Sequence, residues 1–545
     1  MIEEKDVMVP TRAGPRIAVR IYRPEGSARA PALYAASPYR YDNNELPQAP
    51  MFRWRETGPI QWYVDRQGYA YVHADVVGTG RSEGEYRFLD RREQEAHYDV
   101  IEWIARQPWS NGKVGGIGQS YYCVSQWFMG IQSPPHLACL GAYDGWIDPY
   151  SCTAFTGGIE KAWFSSWFNS SIRISNLFPA NGAAPRVLSH DIACDALQHP
   201  LYDDYWRERA AIESLEKITV PVYSIGVWAK QELHLRGNII AYQRLRCPKK
   251  LFVSATATNL TALQDFNSVR FQEEVLLPFY DHYLKGRETS YLARPPVEFG
   301  VRNSTIRRSA ETWPPPGVQV RRFFLHAGPS GSVTSLNDGA LKTAPAGPQG
   351  GRTSYTYPDL EWASGIAAVG PAGPDAVRRI LTFTSDPLPE DVELAGNSTL
   401  RLFVSTTGID TDFIVRVSEQ LPQSPADRQA GVQPRATTVA KGWLRASHRE
   451  RDPRYSTDEW PVYTHASQQF LTPGEIYQID VPLMPMAYLF KRGRRIRVEV
   501  ANHDSPVTDQ HFSHFYKPAK IGTDTIYHSD RYPSHLAMQV WPRTP

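Results

Sequence analysis

Long apolar runs are missing from this chain, and so is a strong excess of either charge. Nothing in its 545 residues approaches the roughly 18 consecutive apolar side chains that a bilayer span requires. A net charge of +2 produces no field that would draw in nucleic acid or an acidic membrane. The five cysteines are scattered at spacings that form no disulfide framework. The opening residues Met1-Ile2-Glu3-Glu4-Lys5-Asp6 lack the basic-then-apolar layout of a secretory leader. A reduced cytoplasm is therefore the expected setting. No internal repeat of solenoid length is present. His503, Asp504, His511 and His514 have no cysteine or acidic residue at helix or ribbon spacing, so they read as surface residues rather than metal ligands. Neither a metal nor a cofactor is expected.

What is present is length, enough for two or three cores. Up to about residue 145, short apolar runs alternate with helical stretches. Ala32–Ala36, Tyr69–Ala74 and Val114–Gly118 read as strands. Glu93–Gln107 reads as a helix with Val100, Ile101, Ile104 and Ala105 inward, and Tyr121–Ile131 as a second helix. Such alternation predicts a mostly parallel sheet. Aromatic, helix-like segments take over from 146 to 217, and strands resume at Val220–Ile225 and Lys250–Val253. The expected organisation is an α/β domain at 1–145 and 218–290 with a helical cap at 146–217 inserted into it. Beyond the Pro314-Pro315-Pro316 linker, Leu400, Leu402, Val404 and Ile496, Val498, Val500 alternate with polar neighbours. That period predicts an all-β, jelly-roll-like sandwich over 318–545.

The sharpest motif is Gly118-Gln119-Ser120-Tyr121 at the end of a predicted strand and the start of a helix. A serine hydroxyl becomes a useful nucleophile when a strained strand-to-helix turn holds it clear of the sheet and a base meets it. The same turn aims the Tyr121 N–H where an oxyanion develops. Gly-x-Ser alone is weak, and Tyr122 stands where Gly-x-Ser-x-Gly has its second glycine. The Gly78-Thr79-Gly80 turn lacks the helix start that a phosphate loop needs.

The segment Gln107–Gly115 followed by Gly118–Tyr121 resembles the elbow of the family of cocaine esterases, α-amino-acid ester hydrolases and X-prolyl dipeptidyl-peptidases. Ser37-Pro38-Tyr39, Asp75–Gly84, His199–Trp206, Asp281–Gly286, Asp410–Phe413, Leu471–Gly474 and Gly493–Arg497 are similar to further family segments. The resemblance implies an α/β-hydrolase fold with a helical cap and a C-terminal β-sandwich, an acyl-Ser120 intermediate, and Tyr39 as oxyanion donor. It also exposes departures: Val77 replaces an arginine in the Asp75–Gly84 segment, Cys123 replaces a glycine, and both triad partners of Ser120 are missing from their places. Lys230, in Gly226-Val227-Trp228-Ala229-Lys230, stands where the family has its triad aspartate. The stretch Ser254–Thr258, where the family has its histidine, contains none.

Substitutes stand nearby. His234 is a candidate base, with Glu232 or Asp265 to orient it, and Lys230 is a candidate for a Ser-Lys pair. The bland alternatives are a pocket-lining histidine and an ion-paired lysine. Trp163, Phe164, Trp167 and Phe168 form an aromatic face suited equally to a substrate pocket and to cap packing. Trp228 and Glu232 are further pocket candidates, and Cys123 reads as a packing residue. Three functions follow: an ester or amide hydrolase using Ser120 with a non-standard base; a non-hydrolytic enzyme on the same scaffold, catalysing cyclisation, elimination or rearrangement; or a pseudo-hydrolase. The expected partner is a small acyl or aromatic molecule, with a homo-oligomer possible in principle.

Overall fold

The structure is a computed structural model and describes residues 1–26, 28–46, 55–178, 185–256, 258–357, 359, 379–505, 514 and 520–542. Its first sheet has ten strands: β1 (Ile2–Val9), β2 (Ile17–Arg23), β3 (Ala30–Ser37), β4 (Ala70–Asp75), β5 (Ser110–Gln119), β6 (Leu137–Tyr143), β7 (Val222–Val227), β8 (Lys249–Ser254), β9 (Val297–Gly300) and β10 (Arg307–Ala310). Their spatial order is β1-β2-β4-β3-β5-β6-β7-β8-β9-β10. From β4 through β9 every pairing is parallel, and the two edges are antiparallel. Helices on both faces explain why β3 and β7 are buried along their whole length. The sheet runs past the expected boundary at 290, because β9 pairs with β8 in parallel and carries β10 with it.

Helix α1 (Arg91–Ala105) turns Val100, Ile101 and Ile104 fully inward and is capped by the Asp90 carboxylate. Helix α2 (Tyr121–Gln132) is buried from Tyr121 to Gly130. A helix apolar all round belongs inside a large core, which is where the sheet and α1 hold it. The insertion between β6 and β7 carries α3 (Ala162–Trp167) and other short helices. Helix α4 (Leu235–Arg244) follows β7.

The second sheet has eleven strands, β11 (Gln319–Pro329), β12 (Gly339–Lys342), β13 (Arg352–Tyr357), β14 (Leu381–Ser385), β15 (Val392–Thr406), β16 (Asp412–Gln420), β17 (Ala436–Arg445), β18 (Tyr477–Phe490), β19 (Arg495–Ala501), β20 (Gly522–Tyr527) and β21 (His535–Val540). Long β15 pairs with β18 on one side and with both β20 and β21 on the other. Its pairing with β21 closes a circuit through β18, β17, β16, β19, β14, β12 and β11, so the sandwich folds back on itself as a barrel.

The two sheets share a core. Trp228 donates its indole N–H to Gly300 O at 2.7 Å, packs on Trp313, and lies in one apolar cluster with Leu400 and Val415 of the barrel. Among the described residues, no helix is long and apolar enough to cross a membrane.

Candidate active site

Ser120 sits between β5 and α2 with φ 60° and ψ −122°. A β-carbon at this φ is strained, and such strain at a strand-to-helix turn holds the hydroxyl away from the sheet. Gly118 makes the turn possible, since a β-carbon there would lie 2.3 Å from Tyr122 Cβ. The backbone is tied on both sides: Gln119 N–H donates to Glu56 O and Ser120 N–H to Asp144 O, each at 2.9 Å.

His234 meets the serine. Its Nε2 lies 3.2 Å from Ser120 Oγ, and its Nδ1 lies 3.2 Å from Asp144 Oδ2. The second contact falls outside hydrogen-bond geometry and is a close electrostatic contact. The ring stacks on Trp146, with centroids 5.4 Å apart and planes 23° from parallel. Burial lowers the His234 pKa and the Asp144 charge opposes that shift; the net direction is down, which keeps the imidazole neutral and basic. Burial pushes the Asp144 carboxyl up, but its contact with His234, the Lys230 ammonium and a 2.8 Å hydrogen bond from Gln119 Nε2 outweigh it, and the net direction is down.

Asp144 was absent from the sequence-based candidates. It follows β6, the strand beside the nucleophile's own, and its φ of 53° turns its carboxylate back toward Ser120 and His234. Two glycines let α4 bring His234 in. A β-carbon on Gly237 would stand 2.3 Å from Gly145 O, and one on Gly145 would stand 2.7 Å from Cys123 Sγ. Asn238 locks the approach: it accepts from Gly145 N–H at 3.0 Å and donates to Ala142 O at 3.1 Å. A strand-end Asp-Gly directly after the elbow helix, together with Gly237-Asn238 behind His234, was the legible sign.

Tyr39 lies over the serine. Trp167 Nε1–H donates to its oxygen at 3.0 Å, and the Ser120 hydroxyl is within hydrogen-bonding influence of the phenol. Burial holds the Tyr39 pKa well above its ordinary value, so it remains a donor. The Tyr121 N–H opens α2 and has no acceptor within the helix. The Tyr121 phenol donates to buried Glu93 at 2.7 Å, and its ring stacks on Trp167, which in turn stacks on Trp163 at 5.5 Å. The four-residue aromatic face thus divides. Trp163 and Trp167 join Tyr39, Tyr121 and Trp146 around the reaction centre, while Phe164 packs on Phe88 and Trp206.

Comparison with known proteins places the chain. The model of the X-Pro dipeptidyl-peptidase (S15 family) matches residues 13–257, and that of the X-Pro dipeptidyl-peptidase C-terminal non-catalytic domain matches 289–537. The chain belongs to this family. Relatives include a putative serine esterase of Mycobacterium bovis, 26% identical with 98% of this chain and 94% of that protein covered. The cocaine esterase of Rhodococcus sp. is 24% identical, with 98% of each chain covered. A solved structure of a CocE/NonD family hydrolase from Staphylococcus aureus superposes with a TM-score of 0.80 at 26% identity, over 99% of this chain and 94% of that one. The family member described here is accordingly an enzyme of the serine hydrolase type, with the α/β-hydrolase fold and β-rich C-terminal domain expected from the sequence.

Within that family frame the departures acquire a geometry. Lys230 Nζ lies 3.6 Å from Asp144 Oδ2, an ion pair rather than a base on the serine. Thr258 caps a helix over Asn259–Asn267. Neither acid proposed for His234 reaches it. Glu232 pairs with Lys441 of the barrel. Asp265 accepts from Thr256 Oγ1 at 2.8 Å. Glu232 and Trp228 are therefore not pocket residues; both are held at the junction of the two sheets. Cys123 is fully buried, and burial pushes its thiol pKa far up. His514 is not on the surface: it is buried, with Nδ1 2.6 Å from Asp504 Oδ2. His511 lies outside the described residues.

Proposed function

We propose that this protein is an ester or amide hydrolase that works through an acyl-Ser120 intermediate, with His234 as base and Asp144 as its orienting acid. The observation that carries this reading is the Ser120–His234–Asp144 line, two contacts of 3.2 Å in sequence. The arrangement reproduces the Ser-His-Asp logic with both partners drawn forward by one strand: the acid follows β6 and the histidine follows β7.

In the first step Ser120 Oγ attacks the acyl carbon while its proton passes to His234 Nε2. The carbonyl π pair moves to oxygen, where the Tyr39 hydroxyl and the Tyr121 N–H donate to it. The C=O bond then re-forms, the bond to the leaving group breaks, and His234 returns the proton to that group. Water repeats the sequence on the acyl-enzyme. Asp144 keeps Nδ1 protonated and balances the transient imidazolium. Trp146, Trp163, Trp167 and Tyr121 supply an apolar aromatic surround that favours an acyl or aromatic substrate.

Fluorophosphonate labelling followed by intact mass tests the reading. One adduct is expected on the parent protein, with none on Ser120→Ala and strongly slowed labelling of His234→Ala. A His234→Ala variant labelled at the parent rate would remove His234 as base. Full activity in Ser120→Ala would favour the non-hydrolytic alternatives.

A further inference from the structure

Glu56 has no part in the chemistry just described, yet it stands against the nucleophile. Its carbonyl accepts the Gln119 N–H, which ties its backbone to the elbow. Its side chain is 2% exposed, and its carboxyl lies within hydrogen-bonding influence of the Ser120 hydroxyl. Its Oε2 is buried and has no hydrogen-bond partner among the described residues. An orphaned carboxyl oxygen in a dry site is costly unless something bound there uses it. Nothing in a Ser-His-Asp mechanism calls for a second carboxyl on the serine, and a negative charge there would oppose the oxyanion.

We propose that Glu56 is a third donor to the oxyanion, a neutral carboxylic acid standing beside the Tyr39 phenol and the Ser120 oxygen. This inference rests on the acyl-enzyme reading. As the carbonyl π pair moves to oxygen, the Glu56 O–H hydrogen-bonds the developing charge; as the C=O bond re-forms, that hydrogen bond relaxes. The proton stays on Glu56 throughout, and the proton in transit travels only between Ser120, His234 and the leaving group. A carboxylic acid kept neutral so that it can donate is an established device for stabilising an oxyanion.

The surroundings keep Glu56 protonated near neutrality. Burial pushes its pKa up to about 8, and the Asp144 charge adds to that shift. The Lys230 ammonium and the Ser120 hydrogen bond pull the other way without prevailing. Among the described residues Tyr39 and Tyr122 also face it, and burial holds their phenols protonated. Lys230 thus faces two carboxyls of opposite habit: it pairs with an ionised Asp144 and only moderates Glu56.

The test is the pH dependence of kcat/KM for p-nitrophenyl butyrate, with fluorophosphonate inactivation rates and boronic acid affinity as parallel readouts. The parent should lose activity as pH rises above about 8, because ionised Glu56 no longer donates and repels the oxyanion. Glu56→Gln, which donates but does not titrate, should stay within about threefold at pH 7 and lose the alkaline fall. Glu56→Leu should lose about 10²-fold in kcat with little change in KM, and a similar factor in boronic acid affinity. Activity rising through pH 8, or an inactive Glu56→Gln, would make Glu56 an ionised base and overturn the proposal. Parent-like behaviour of both variants would overturn it too. An inactive Ser120→Ala beside parent-like Glu56 variants sinks this inference alone, whereas an active Ser120→Ala sinks the acyl-enzyme reading beneath it.

Discussion

Lys230 Nζ stands 3.6 Å from Asp144 Oδ2, so one carboxylate is shared between this lysine and the His234 ring, whose Nδ1 lies 3.2 Å from the same oxygen. The lysine charge helps to keep Asp144 ionised and lowers the His234 pKa. Replacing Lys230 with Met removes a cation beside the imidazole, which favours imidazolium and raises the His234 pKa. The acid limb of the kcat/KM profile, set below 6.5 in the parent, should move to higher pH, with about a tenfold loss at pH 6. A pH-rate profile that keeps its acid limb in place would mean that the lysine does not act on the histidine.

Asp144→Asn keeps the shape of the acid and removes its charge. Loss of kcat by about 10²–10⁴-fold is expected, while Glu232→Gln and Asp265→Asn remain near the parent. Steady-state kinetics on one ester separates the three variants. Equal losses in all three would say that the measured effect is instability.

Tyr39→Phe deletes an oxyanion donor without changing the ring. A fall of about 10²–10³-fold in kcat with KM little altered is expected. Trp167→Phe removes the hydrogen bond that positions the Tyr39 oxygen, together with part of the ring stacked on Tyr121 and Trp163, and should cost about tenfold. Comparable losses from both would place Trp167 in contact with the substrate.

Gly237→Ala tests how His234 is delivered. The new methyl meets Gly145 O and the Trp146 backbone, neither of which yields as a flexible side chain would. The expected result is about 1–3 kcal/mol of destabilisation in denaturant unfolding, and a larger proportional loss of activity as α4 is pushed off the serine.

Linkage gives a prediction for Glu56 that does not depend on turnover. Its pKa is raised from 4.5 to about 8, so between those values the folded chain holds a proton that the unfolded chain releases. Stability therefore declines as pH climbs through that window. Glu56→Gln removes the contribution, and its Tm should exceed that of the parent more at pH 8 than at pH 5.

The fold was legible because period and turn chemistry are local. Val100, Ile101 and Ile104 marked the buried face of α1, and Gly118-Gln119-Ser120 marked the turn, where strain and small size are demanded by the site itself. His234 was legible as one of few histidines near β7. Its acid was not, because partnership with His234 is decided by strand order. Glu232 is two residues away along the chain yet points to Lys441, whereas Asp144, ninety positions earlier, sits on the strand between β5 and β7. Trp228 misled for a related reason: a residue following a central strand suggested the cleft, but the large indole filled the seam with the barrel. Glu56 carried no motif, and its meaning comes only from burial beside Ser120.

The position of His234 at the start of α4 has a consequence for the outer half of the first sheet. Ser120, Asp144 and His234 follow β5, β6 and β7, whereas Thr258, beyond β8, caps a helix. Thr258 is exposed, so a fluorophore attached at that position should leave ester hydrolysis near the parent rate.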